Sequence, residues 1–202
     1  MRSLIYIPII HSETDMGSLR EAVRYHKIRL VGKKKSETTT GTVEGMWKQI
    51  RTLFDSTDLD YGKVRIYQDG LPACGRESEI VTDLARAGSH NYQLLFDLMK
   101  KGATVMGTES PDLLVEEYQL IKQTLPQNTG QAPGPRGQKK VALSRSLLRK
   151  RDKYIAERIN RTLGQGEIGV VFIGMLHSLQ EYLAPDIRVT YPKRPDLSSG
   201  RS

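Results

Sequence analysis

Apolar residues follow two rhythms along this chain, and the two rhythms predict different elements. A near-continuous β-type run at Leu4–Ile10 predicts a strand covered on both faces, and Val64–Tyr67, "GATVMGTES", Gly169–Ile173 and "DIRVTYP" predict four more strands. Between them, apolar positions recur three and four residues apart, the spacing of one face of a helix. "DMGSLREAVRYHKIRL" places Leu19, Val23 and His26 or Lys27 on one side. Val43–Phe54 does the same with Met46, Trp47, Ile50 and Phe54. Further helices are predicted at Ser78–Arg86, His90–Lys100, Asp112–Leu125 and Ser144–Leu163, with one more directly after the Gly169–Ile173 strand. Pro111 stands at the first position of the Asp112 helix, where a missing N–H is harmless.

The resulting order is β-α-α-β-α-α-β-α-α-β-α-β. Strands separated by helical connections predict an α/β fold with a mostly parallel central sheet and helices on both faces. A single domain over 1–192 accommodates it, followed by a flexible tail at 193–202. Two polar stretches interrupt the pattern. "GKKKSETTTGT" predicts a loop over 32–42, and "PQNTGQAPGPRGQ" a Pro/Gly insertion over 126–138.

Composition narrows the class. No segment of the 202 residues approaches the length of a membrane-spanning apolar helix, so no membrane span is expected. The first apolar run contains Pro8 and reads as a buried strand rather than a signal peptide. Cys74 is the only cysteine, which excludes an internal disulfide and a cysteine zinc cage and points to the cytoplasm. The net charge of +8 raises the question of nucleic acid. Much of it sits in "GKKK", "RGQKK" and the tail, however, and no aromatic residues alternate with these runs to form a stacking platform. Basic loops contacting an anionic partner remain the alternative to catalysis.

In parallel sheets, ligands bind beyond the carboxyl ends of the strands. His11 stands at the first such end, with Glu13 and Asp15 just beyond. Gln68 and Asp69 stand at the second, Thr108 and Glu109 at the third, and His177 follows the fourth through Gly174. Each has an ordinary structural use by itself: Asp15 as a helix cap, Asp69-Gly70 as a turn pair, Glu109 as the approach to a helix. Two imidazoles and several carboxylates on one edge make a site. Arg151 lies on the apolar stripe of the Ser144–Leu163 helix, with Leu148 and Ile155. A guanidinium on a core-facing stripe requires an anion. Asp152 falls off the stripe and is expected on the surface, paired with Arg149 or Lys153. His26 and His90 are expected as surface or capping residues, and Trp47 as core.

"IIHSETDMGSL", "IYQDG", "VMGTES", "RDKYIAERI" and "GMLH" occur in that order. The series resembles the superfamily of TraB/PrgY proteins, Tiki proteases, erythromycin-esterase-like and ChaN-like proteins. There, an early strand ends in histidine and internal strands end in acidic residues. A long helix carries R-[ND]-x-x-x-A, and a late strand ends in Gly-x-x-His. The resemblance covers most of the chain. It lacks the glycine expected three residues before His11, and the chain is shorter than most relatives.

The resemblance implies a hydrolase of small-molecule or peptide substrates, with water activated at a histidine/carboxylate site. Two forms of the site are open. His11 and His177 with Glu13, Asp69 and Glu109 offer imidazole and carboxylate ligands that suit Zn, Mn or Co. Alternatively, a histidine acts as general base with a partnered carboxylate, and Arg151 faces the oxyanion or a substrate carboxylate. No Gly-x-Ser-x-Gly elbow supports a serine nucleophile. A non-catalytic ligand-binding or regulatory module is the second class of reading, although no standard phosphate loop occurs.

Overall fold

Both faces of every long strand are apolar, and the helices distribute themselves accordingly. The computed structural model describes residues 1–10, 33–124 and 135–192. In chain order the elements are β1 (Arg2–Ile9), α1 (Lys33–Asp55), β2 (Val64–Pro72), α2 (Glu77–Arg86), α3 (His90–Lys100), β3 (Thr104–Glu109), α4 (Pro111–Thr124), α5 (Pro135–Thr162), β4 (Ile168–Gly174) and β5 (Ile187–Thr190). The five strands form one sheet in the order β3-β2-β4-β1-β5, and every pairing is parallel. This is the expected α/β architecture.

Successive residues of a strand point to opposite faces. Ile7, Ile9, Ile66, Val170 and Phe172 therefore pack with Trp47, Phe54, Leu95 and Leu98 from α1 and α3 on one face. Leu4, Tyr6, Tyr67, Val171 and Ile173 pack with Ile155 and Ile159 of α5, and with Leu163 just after it, on the other. Trp47 is core, as its helical spacing requires. Among the described residues, no helix is long and apolar enough to cross a membrane.

Four local expectations need correction. Residues 33–42, read as part of a polar loop, are the first turns of α1. Four threonines and Gly41 disfavour a helix here, so its extension from the packed Val43–Phe54 face runs against local propensity. The last residues of the 126–138 insertion likewise belong to α5, which Pro135 opens. No α-helix follows β4, where the chain makes only a 3₁₀ turn at Gln180–Tyr182. There the Ser178 N–H bonds a side chain of α5, and Pro185 soon blocks continuation.

The fourth correction shapes the candidate site. Strand β2 does not stop at Tyr67 but runs on to Pro72 through a bulge. Gln68 pairs with Gly107 and Pro72 with Glu109, so Asp69, Gly70 and Leu71 face only Thr108. Gly70 has φ +80°, a conformation that a side chain would strain. The Thr108 hydroxyl donates to the Gln68 carbonyl exposed by the shift. The bulge lifts Asp69 out of the ladder, re-aiming its carboxylate.

After β2 the chain turns toward β3, and after β4 it turns toward β5. The crevice between the adjacent carboxyl ends of β2 and β4 is thus a topological switch point. Close packing beside the bulge gives a test. A Cβ at Gly107 would lie 2.4 Å from the Ala73 Cα and 2.7 Å from the Pro72 carbonyl oxygen, both backbone atoms. Gly107→Ala is expected to destabilise the domain by about 1–3 kcal/mol. Urea unfolding should show a lowered midpoint with an unchanged slope.

Candidate functional site

The Gly-x-x-His segment folds as a turn because the His177 N–H donates to the Gly174 carbonyl, 3.0 Å away. This turn brings the imidazole back over the end of β4 and leaves Met175 and Leu176 exposed at its corners. Ladder pairing between β2 and β4 ends at Gln68 and Phe172. Beyond it, the Asp69 carboxylate takes over: Oδ2 accepts the Gly174 N–H at 2.9 Å. The same oxygen lies 3.4 Å from His177 Nε2. The switch-point crevice is thus bridged by Asp69.

Helix α5 crosses this end of the sheet. Arg151 is only 5% exposed. Its Nε and Nη2 donate to the two oxygens of Glu109 at 3.2 and 2.6 Å. Nη2 also donates to Asp69 Oδ1 at 2.8 Å, and Nη1 to Glu117 on α4 at 2.5 Å. The anion that the sequence required for Arg151 is a cluster of three carboxylates. They hold the guanidinium pKa above its ordinary value even though burial pulls the other way. Burial raises the Glu109 pKa, opposed by Arg151 and reinforced by the neighbouring Asp69.

Asp152 contradicts its expected surface position. It is buried, its Oδ1 lies 2.5 Å from His177 Nδ1, and its Oδ2 accepts the Ser178 N–H at 3.2 Å. The signal was present in the sequence. Asp152 is three residues before Ile155 and four before Ala156, both fully buried. The apolar stripe is broad enough to include both Arg151 and Asp152, so two adjacent charges face inward. Glu117 was also missed, since α4 shows it to the cleft only once α4 is packed on α5.

The imidazole therefore stands between two carboxylates. Burial disfavours its cationic form, but the bond to Asp152 and the charge of Asp69 outweigh burial and the opposing Arg151. The His177 pKa is raised. Below the ring, the Tyr6 hydroxyl donates to the His177 carbonyl at 3.4 Å. Burial pushes that phenol up to about 12, so it remains a neutral donor at physiological pH.

Part of this cluster opens onto a cleft of about 560 Å³. Asp69, Glu117, Arg151 and His177 supply its polar lining, while Ile9, Leu114, Ile121 and Leu148 are among its apolar walls. Four of the six expected site residues, Asp69, Glu109, Arg151 and His177, thus come together. His11 and Glu13 lie outside the described residues, although Ile10, immediately before them, lines the cleft. Cys74 is exposed beyond the end of β2.

Asp69, Glu109 and His177 each offer a ligand atom, all within 4.8 Å of one another, and imidazole with two carboxylates is a donor set suited to Zn, Mn or Co. The geometry of the described residues fits such an ion poorly. Both Glu109 oxygens and Asp69 Oδ1 already bond the Arg151 guanidinium, which stands as the cation of this cluster. No protein-family model matches the chain, and no curated protein or solved structure matches it.

Two outcomes follow from the buried charges. Arg151→Met leaves three carboxylates without their cation and is expected to destabilise the domain by about 3–5 kcal/mol, read from urea unfolding. The raised His177 pKa has a definite sign: its stabilising contribution is complete below the unfolded histidine value of about 6.5 and fades as pH rises through the folded pKa. Asp152→Asn should lower the His177 pKa, seen by NMR titration of the ring, and should flatten the loss of stability between mildly acidic and alkaline pH.

Proposed function

We propose that the chain is a hydrolase in which His177, oriented by Asp152, activates water on the floor of the cleft. The observation that carries this reading is the buried Asp152–His177 pair at 2.5 Å, whose His177 lines a cleft at the switch point of a parallel sheet. Such a pair has the roles of an orienting carboxylate and a general base. It is also the chemistry implied by the resemblance to the TraB and erythromycin-esterase-like superfamily.

With Nδ1–H donated to Asp152, the lone pair of the neutral ring is on Nε2, which faces Asp69 across 3.4 Å. Nε2 takes a proton from water as the oxygen attacks a substrate carbonyl. Asp69 and Asp152 then stabilise the imidazolium until it returns the proton to the leaving group. Because only the neutral ring can accept the proton, the rate should rise with pH through the His177 ionisation, which is shifted upward. Arg151, bonded to three carboxylates, acts here by positioning Asp69 and Glu109 rather than by meeting an oxyanion.

Turnover of short-chain nitrophenyl esters and a peptide panel by the full chain tests the proposal. His177→Ala is expected to lower kcat/KM on the order of 10²–10⁴-fold. Asp152→Asn should shift the ascending limb of the pH profile to lower pH, and chelation should leave the rate unchanged. Absence of turnover, or a His177→Ala variant as active as the native chain, overturns it. Activity lost on chelation and restored by Zn²⁺, Mn²⁺ or Co²⁺ would replace this mechanism with the metal-dependent one.

A further inference from the structure

Four carboxylates gather around Arg151 and His177, and their oxygens are not equally committed. Both oxygens of Glu109 and Oδ1 of Asp69 bond Arg151, while Asp69 Oδ2 accepts the Gly174 N–H. Asp152 engages His177 with one oxygen and the Ser178 N–H with the other. Glu117 is different. Its Oε1 accepts from Arg151 Nη1, whereas Oε2 has no partner among the described residues. The Glu117 side chain is 35% exposed and lines the cleft. On α4, Leu114, Glu117, Tyr118 and Ile121 all line that cleft, at the spacing of one helical face. One open acceptor thus stands among largely apolar neighbours.

The cations of the cluster are already engaged. Four of the five Arg151 N–H groups are donated to Glu109, Asp69 and Glu117, and the fifth shares Nη1 with the Glu117 bond. On neighbouring turns, Lys150 pairs with Glu116 at 3.8 Å, and Lys122 is exposed over the Tyr118 ring. Even with Glu109 and His177 both protonated, the cluster sets three carboxylates against two cations. A ligand carboxylate or phosphate is therefore repelled there, and an ammonium attracted. The pairing of Arg151 with a substrate carboxylate, expected from the sequence, is taken by Glu109 and Asp69.

We propose that the cleft recognises an apolar chain ending in a protonated amine as the acyl part of its substrate. The chain lies along Leu114, Ile121 and Leu148, and the ammonium donates to Glu117 Oε2. Glu117 is on the Nη1 side of Arg151, and His177 lies beyond Asp69 on the Nη2 side. The amine and the carbonyl are therefore held apart by the apolar chain. A hydroxyl would also donate to Glu117 but would leave the excess negative charge unbalanced. The inference rests on the hydrolase reading for the fate of the acyl bond, and on Glu117 and the apolar wall for recognition.

Nitrophenyl esters of hexanoic acid, 6-aminohexanoic acid and adipic acid (as its monoester) have matched lengths and neutral, cationic and anionic ends. With the full chain, kcat/KM is expected to be about tenfold higher for the aminohexanoyl than for the hexanoyl ester, and lowest for the adipoyl ester. Glu117→Gln should bring the aminohexanoyl and hexanoyl values together. Calorimetric titration with hexylamine, hexanol and hexanoate reads the same site without turnover, and the native chain alone suffices for it. Hexylamine should bind about tenfold more tightly than hexanol, with hexanoate weakest, and Glu117→Gln should remove the difference. If no ester is turned over but hexylamine binds in this Glu117-dependent way, recognition of the amine stands and the hydrolase reading falls. Turnover without preference for the amine, or hexylamine binding no tighter than hexanol, overturns the inference and leaves the hydrolase reading intact.

Discussion

One guanidinium holds the carboxyl end of this domain together. Arg151 bonds Asp69 at the end of β2, Glu109 at the end of β3 and Glu117 on α4, and it does so from α5. Four elements therefore meet on one planar cation. Buried carboxylates of this kind are tolerated only where an opposite charge and hydrogen bonds replace water. Arg151 provides both at once, because its fork can serve several oxygens in fixed directions.

The position of the imidazole depends on that arrangement. Asp69 is fixed on one oxygen by Arg151, and its other oxygen receives the Gly174 N–H beside His177 Nε2. Asp152, the next residue on α5, fixes the opposite side of the ring. Two adjacent helical residues thus set the two sides of the site: one organises the carboxylates, the other the histidine. The β2 bulge completes the geometry, since a regular strand would keep Asp69 within the ladder.

Legibility of the site in the sequence differed among its members. Asp69, Glu109 and His177 were visible because strands end near them, and strand ends in a parallel sheet share an edge. Arg151 was visible because a charge on an apolar stripe must be paired. Asp152 was misassigned by treating the stripe as narrower than a buried helix makes it, and the fully buried Ala156 four residues on marks its true width. Glu117 carries no such mark in the sequence. Part-exposed on an amphipathic helix, it differs from no other surface glutamate until α4 is set against α5.

Local patterning by itself determined the strands, most of the helices and the parallel α/β class, because alternation and helical spacing are properties of neighbouring residues. It also determined that the charged groups at the strand ends and on the α5 stripe needed partners. Tertiary structure decided which partners those were. It extended β2 through a bulge, carried α1 into a polar stretch, denied a helix after His177 and turned Asp152 inward. The bulge, the missing helix and the inward turn of Asp152 rest on contacts between segments distant in the chain, and their free energy outweighs the small propensities that local sequence expresses.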